Sequence, residues 1–160
     1  MARFLVVFIA LVLGLLAAEL TPPVQRWLVQ PWTGWVTASS AMLITLFDPH
    51  VTAVGNILLS TRNGFAVSIQ AGCNGIEAAI VLLAAMLAFP APWKHRLFGM
   101  ACGLAAVQAL NLVRVISLFY VGQWSMGVFE WMHLYLWQAL IMLDVLVVAL
   151  VWMCTLPRAP

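Results

Sequence analysis

Cys73 stands in Gly72-Cys73-Asn74-Gly75-Ile76-Glu77, where a polar, turn-rich stretch gives way to the apolar run Ala78 to Phe89. A thiol at the first turn of a helix feels the partial positive charge of the free backbone N–H groups, which favours the thiolate, the nucleophilic form. Two groups can join it: Arg114, a single cation inside a hydrophobic run, and His133, just ahead of the last such run. A cysteine protease needs a thiolate, a general acid for the leaving amine and donors for the tetrahedral oxyanion. Cys73 and His133 can supply the first two as a thiolate and imidazolium pair. Arg114 stays protonated, so its part is electrostatic, holding the oxyanion or orienting the substrate backbone. The other cysteines, Cys102 and Cys154, read as small buried hydrophobes, and His50 and His95 as non-catalytic. The sequence has no Cys-x-x-Cys, no His-Glu-x-x-His or dense metal cluster, no phosphate loop and no regular His pairs, so no cofactor and no metal are expected.

The elements that must position these residues lie in a membrane. With 65% hydrophobic and 8% charged residues, and a mean hydropathy of +1.06, the chain has too few polar side chains to cover a water-soluble surface. Its net charge of +2 is spread without a basic run, which argues against nucleic acid as a partner. One polytopic domain over residues 1–160 is expected: an all-α membrane protein, a compact helical bundle with spans at about 4–20, 76–89, 97–121 and 134–156. The first run has the basic start and small residues of a signal peptide, but Arg3 alone is a weak n-region and the run reads as a span.

Lys94 and Arg96 in the short loop after Phe89 orient the bundle, since such cations stay on the cytoplasmic side. Threading outward puts Arg3 and Arg158 inside with them, and residues 21–75 and 122–133 outside with Arg26 and Arg62. Cys73 and His133 then emerge at the outer face, and Arg114 lies about 10 Å below the outer end of its helix. Residues 35–47 carry hydroxyls and are bounded by prolines, so an interfacial or re-entrant helix is expected, anchored by Trp27, Trp32 and Trp35. Asn63-Gly64 between the short apolar segments 56–60 and 65–69 predicts a β-hairpin on the outer, periplasmic side. Its second strand runs directly into Gly72-Cys73.

Ionisable groups inside spans need a partner or a task. Gln108, Asn111, Arg114 and Ser117 follow one another at three-residue spacing and form a slowly spiralling polar stripe. On a helix starting at Cys73, Glu77 falls one turn deeper, level with Arg114, where the two can pair; Asp144 comes level with Asn111 or Gln108. Arg114 can equally be a structural charge locked to Glu77 or Asp144, and His133 an interfacial anchor beside Trp131, Tyr135 and Trp137.

Ala71-Gly72-Cys73-Asn74-Gly75-Ile76-Glu77, Asn111-Leu112-Val113-Arg114 and His133 opening the last span together resemble the signature of the exosortase and archaeosortase family, over residues from about 56 to the C-terminus. Length and span layout are most similar to exosortase H, without the extra N-terminal spans of longer members. The resemblance implies a cysteine peptidase or transpeptidase in the bacterial inner membrane, with its active site facing the periplasm. Its partners would be exported proteins carrying a short motif, a hydrophobic helix and a basic tail at the C-terminus, together with membrane lipid. It further implies Cys73 as nucleophile, Arg114 as the sortase-like arginine and His133 as acid/base, supported by Asn74, Glu77 and Asn111. The competing reading is a non-catalytic membrane subunit whose buried charges hold a bundle or bind a partner helix. A small transporter would need a polar path through the cytoplasmic half, which offers little beyond Gln108 and Asp144.

Overall fold

A computed structural model describes residues 2–156; Arg158, expected on the inner side, lies outside the described residues. The chain is mainly helical and contains one three-stranded antiparallel sheet. α1 (Ala2–Glu19) is followed by a helical run of three parts, α2 (Pro22–Val24), a π-helical turn (Gln25–Val29) and α3 (Gln30–Thr45). After the strands come α4 (Ile76–Ala88) and α5 (Trp93–Trp124). A last helical run joins α6 (Met126–Trp131), a second π-helical turn (Met132–Leu136) and α7 (Trp137–Cys154).

Among the described residues, three helical stretches are long and apolar enough to cross a bilayer: Ala2–Glu19, Trp93–Trp124 and Met126–Cys154. α4, expected as a fourth span, has 13 residues. It is about 20 Å long against a hydrocarbon core of about 30 Å. α5 is longer than expected, with 32 residues. Arg114 therefore lies about 15 Å below its end at Trp124, not the expected 10 Å.

Both ends of the bundle can be read from contacts. At one end Phe4 meets Phe89 edge to face with ring centroids 6.2 Å apart, Arg96 donates to the Phe89 carbonyl at 2.8 Å, and the Trp152 indole donates to the His95 carbonyl at 3.2 Å. Counting up from His95 to Arg114 gives a climb of about 28 Å, and counting from Thr155 to His133 about 33 Å. Because His95 and Thr155 touch at 3.1 Å, Arg114 and His133 reach a similar height.

The sheet consists of β1 (Val51–Val54), β2 (Ile57–Ser60) and β3 (Ala66–Ser68) in that order. β2 pairs with β3 in the register Ile57↔Ser68, Leu58↔Val67, Leu59↔Ala66. The sequence reading held only this second hairpin. The first, β1 to β2, turns on Gly55-Asn56, a two-residue glycine turn with Gly55 at φ +62°. β1 lies against α3, whose buried residues Thr33, Val36, Thr37, Ser40, Ala41 and Ile44 form one helical stripe. Thr33, Thr37 and Ser40 tolerate burial because each hydroxyl donates to the carbonyl four residues back, at 2.7–2.9 Å.

Two apolar cores are stacked along α5. The C-terminal half contributes Val115 and Phe119 to a cluster with Val36, Ile44, Val51, Leu58 and Ile69. The N-terminal half contributes Val107 to a cluster with Leu82, Met86, Ile141, Val145 and Trp152. Gln108, Asn111 and Arg114, all buried, occupy the seam between them.

α4 begins on Gly75, whose φ of +77° is strained for any residue with a Cβ. A Cβ there would sit 2.7 Å from the Gln108 amide nitrogen and 3.1 Å from Asn111 Cγ, so the turn before α4 rests directly on the polar seam. Gly75→Ala is expected to cost about 2–4 kcal/mol, combining backbone strain with overpacking. Gly127→Ala, where nothing lies within 4 Å of a new Cβ, should be neutral or slightly stabilising. Thermal unfolding of both variants in detergent checks the difference, and equal midpoints would refute the close approach.

Candidate active site

Cys73 is not on a helix. It lies in a turn three residues ahead of α4, its own N–H donating to the Gln70 carbonyl at 2.9 Å. The helix-start argument for a ready-made thiolate therefore fails here. Burial pushes the thiol above its ordinary pKa, the Arg114 cation opposes that rise, and the Glu77 carboxylate adds to it.

Cys73, Arg114 and His133 converge. The Cys73 sulfur lies 3.6 Å from His133 Nδ1 and 3.8 Å from Nε2, and Arg114 Nη2 approaches the same sulfur at 3.8 Å. Arg114 Nη1 donates to the Gly72 carbonyl at 3.1 Å, which ties the guanidinium to the turn that carries the thiol. Gly72 makes this geometry with φ +86°. The three side chains share a cavity of about 300 Å³ whose other walls are residues 67–71, Val115, Leu118 and Phe129.

Each group is held by its element. Arg114 is 3% exposed on α5, and its carbonyl accepts from Ser117 Oγ at 2.9 Å. His133 does not open a helix; it sits in the π-helical turn within the continuous run Met126–Cys154. Such turns recur at functional sites because the extra residue re-aims a side chain. The imidazole stacks on Phe129, rings 8° from parallel with centroids 5.8 Å apart.

The supporting residues behave differently from expectation. Glu77 does not pair with Arg114; its Oε1 accepts from the Gly72 N–H. Asn74 is fully buried, accepts from the Ile76 N–H at 3.1 Å and donates to Thr33 Oγ1 at 3.0 Å. Asn111 is also fully buried, but neither its Oδ1 nor its Nδ2 has a partner among the described residues. The same holds for Asp144 Oδ2, so the expected link between Asp144 and this stripe is not made as a hydrogen bond.

Sequence reasoning missed several positioning residues. Trp32, read as a headgroup anchor like Trp27 and Trp35, donates its indole N–H to the Asn74 carbonyl at 3.1 Å. Trp27 and Trp35 remain exposed, at 77% and 52%. Gln108 donates to the Gly75 carbonyl at 3.2 Å, so the turn at 72–75 is gripped from α3 and from α5. Cys102 and Cys154, expected to be buried, are exposed on the outside of α5 and α7. His95 reaches Thr155 at the far end of the bundle. No group of His, Cys, Asp and Glu that could hold a metal occurs among the described residues.

Chemically, the thiol can pass its proton to the imidazole in contact with it, and a fixed cation faces the sulfur from another side. Two backbone donors beside the thiol are already engaged, Gly72 N–H by Glu77 and Cys73 N–H by Gln70. Residues 2–154 match a family model described as Transmembrane exosortase (Exosortase_EpsH). Comparison with curated proteins and with solved structures gave no match.

The electrostatics make a measurable prediction. Arg114 stabilises the Cys73 thiolate, so removing its charge in Arg114→Gln should move the midpoint of the pH–rate profile for iodoacetamide alkylation of Cys73 upward. Arg114→Lys should shift it less. An unchanged or lowered midpoint in Arg114→Gln would mean that the guanidinium does not govern the thiol.

Proposed function

Since the chain belongs to the transmembrane exosortase family, we propose that it is a cysteine peptidase or transpeptidase that cuts C-terminal sorting signals from exported proteins at the periplasmic face of the bacterial inner membrane. The observation that carries this reading is the convergence of Cys73, Arg114 and His133 on one cavity. Within the family we propose exosortase H, with which the family match is consistent. The cations Arg3 and Arg96 border one cavity at the end of the bundle opposite the site, which supports an outward-facing thiol.

His133 takes the Cys73 proton as the sulfur attacks the scissile carbonyl carbon. The tetrahedral oxyanion forms beside Arg114, the charged donor facing the sulfur. Collapse breaks the C–N bond, and the imidazolium returns its proton to the leaving amine, which departs with the hydrophobic helix and basic tail. The remaining thioester is resolved by water or by an amine, with His133 again accepting the proton.

Co-expression with an exported protein bearing such a tail, followed by mass analysis of its new C-terminus, tests the reading. Cys73→Ala should lower processing by at least about a thousandfold. Cys102→Ala and Cys154→Ala, at exposed positions outside the site, should process normally. Arg114→Lys should lose roughly a hundredfold, because a lysine cannot hold the Gly72 carbonyl and face the sulfur at once. Processing that survives Cys73→Ala would overturn the assignment.

A further inference from the structure

Resting on the peptidase reading, we propose that the open edge of β3 is the substrate-binding strand: the segment preceding the substrate's hydrophobic helix adds to the sheet as a fourth strand, parallel to β3, and is delivered by it to Cys73. Strand addition supplies affinity through main-chain hydrogen bonds and leaves selectivity to alternate side chains.

The ladder shows which backbone groups are available. Ile69 N–H donates to the Asn56 carbonyl and Ser60 N–H to the Phe65 carbonyl, each at 2.8 Å. Residues 65 and 69 therefore turn their backbone toward β2, as does Val67 opposite Leu58. Antiparallel alternation directs the N–H and C=O of Ala66 and Ser68 away from β2. Both residues are exposed. At the other side of the sheet β1 is packed on α3, whereas Val67 and Ser68 line the cavity of Cys73, Arg114 and His133.

Direction follows from α5. Before β3, Asn63 donates to Gln123 near the outer end of that helix at 2.8 Å; after β3, the Gly72 carbonyl meets Arg114, and then Gly75 meets Gln108. β3 thus descends toward the bilayer. A substrate with its folded part outside and its helix in lipid descends the same way, so the added strand is parallel. Past Ser68 the protein's own chain turns, with Cys73 N–H closing on Gln70, while a straight strand continues into the cavity that contains the sulfur. Leu118 and Phe129 on its walls are apolar partners for the side chains of that strand.

The full-length enzyme in vesicles, given a passenger protein fused to a short motif, an apolar helix and a basic tail, provides the test. Ala66→Pro and Ser68→Pro each delete an N–H on the open edge and spare the donors to β2, so each should lower kcat/KM by about tenfold. Alkylation of Cys73 by iodoacetamide should stay within about twofold of wild type, reporting an intact turn. Wild-type kcat/KM in both proline variants overturns the edge-strand proposal and leaves the peptidase reading standing. No cleavage of any such tail by the wild-type enzyme overturns the reading beneath it. If a proline variant loses Cys73 reactivity, disulfide cross-linking decides instead. Ser68→Cys in a Cys73→Ala, Cys102→Ala, Cys154→Ala chain is paired with single cysteines moved stepwise along the passenger's segment before its helix. Linking at one residue and its second neighbours, but not its first neighbours, supports an added strand; uniform linking, or none, overturns it.

Discussion

A guanidinium that cannot lose its charge is buried at 3% exposure inside an apolar bundle, and the site is organised around satisfying it. Arg114 has one carbonyl partner, Gly72, and one thiol neighbour, Cys73, while its Nε has no partner among the described residues. An isolated buried cation is expensive, so the turn at 72–75 must come to the arginine. Two positive-φ glycines within four residues give the turn its path, and at Gly75 the backbone also comes too close to α5 to leave room for a Cβ. The buried cation also accounts for Glu77. By accepting from the Gly72 N–H, its carboxylate holds the other side of the peptide group system that Arg114 grips, and both charges act on one glycine.

The stacked cores give this seam its stiffness. Above it, α3 and the sheet close over Val115 and Phe119; below it, α4 and α7 close over Val107. Side chains in close-packed cores shift little, so the polar groups between them are held from both ends of the same helix. The remaining clamp comes from α3, where Trp32 and Thr33 reach Asn74 across the gap. The turn that carries Cys73 is thus tied to two elements, and His133, from the last helical run, reaches the same sulfur.

The residues that converge on the cavity were legible because polar groups in an apolar chain are conspicuous: Cys73 between glycines, Arg114 within a polar stripe of three-residue spacing, and His133 before a span all stand out without tertiary information. Asn63-Gly64 carried its turn chemistry in two letters, and so did Gly55-Asn56, which the reading passed over. Contacts between distant segments left no comparable mark. Nothing local in Trp32 distinguishes it from Trp27, yet one is bonded to a backbone carbonyl 42 residues away and the other is exposed. Helix boundaries were the weakest point. Gly72 and Gly75 read as neighbours of a helix start, but the positive φ at Gly75 delays that start until Ile76 and puts Cys73 outside the field that was expected to ionise it. The continuous run through Met126–Cys154 was similarly hidden, since Ser125 alone separates it from α5.

The shortness of α4 has a consequence for the turn ahead of it. A 13-residue helix is about 10 Å shorter than a normal hydrocarbon core is thick. None of its residues is exposed, because α1, α5 and α7 pack around it, so neighbouring helices and not lipid cover the shortfall. Non-helical backbone at membrane depth is tolerated where protein buries it, and the turn at 72–75 can therefore lie well below the level that α5 reaches at Trp124.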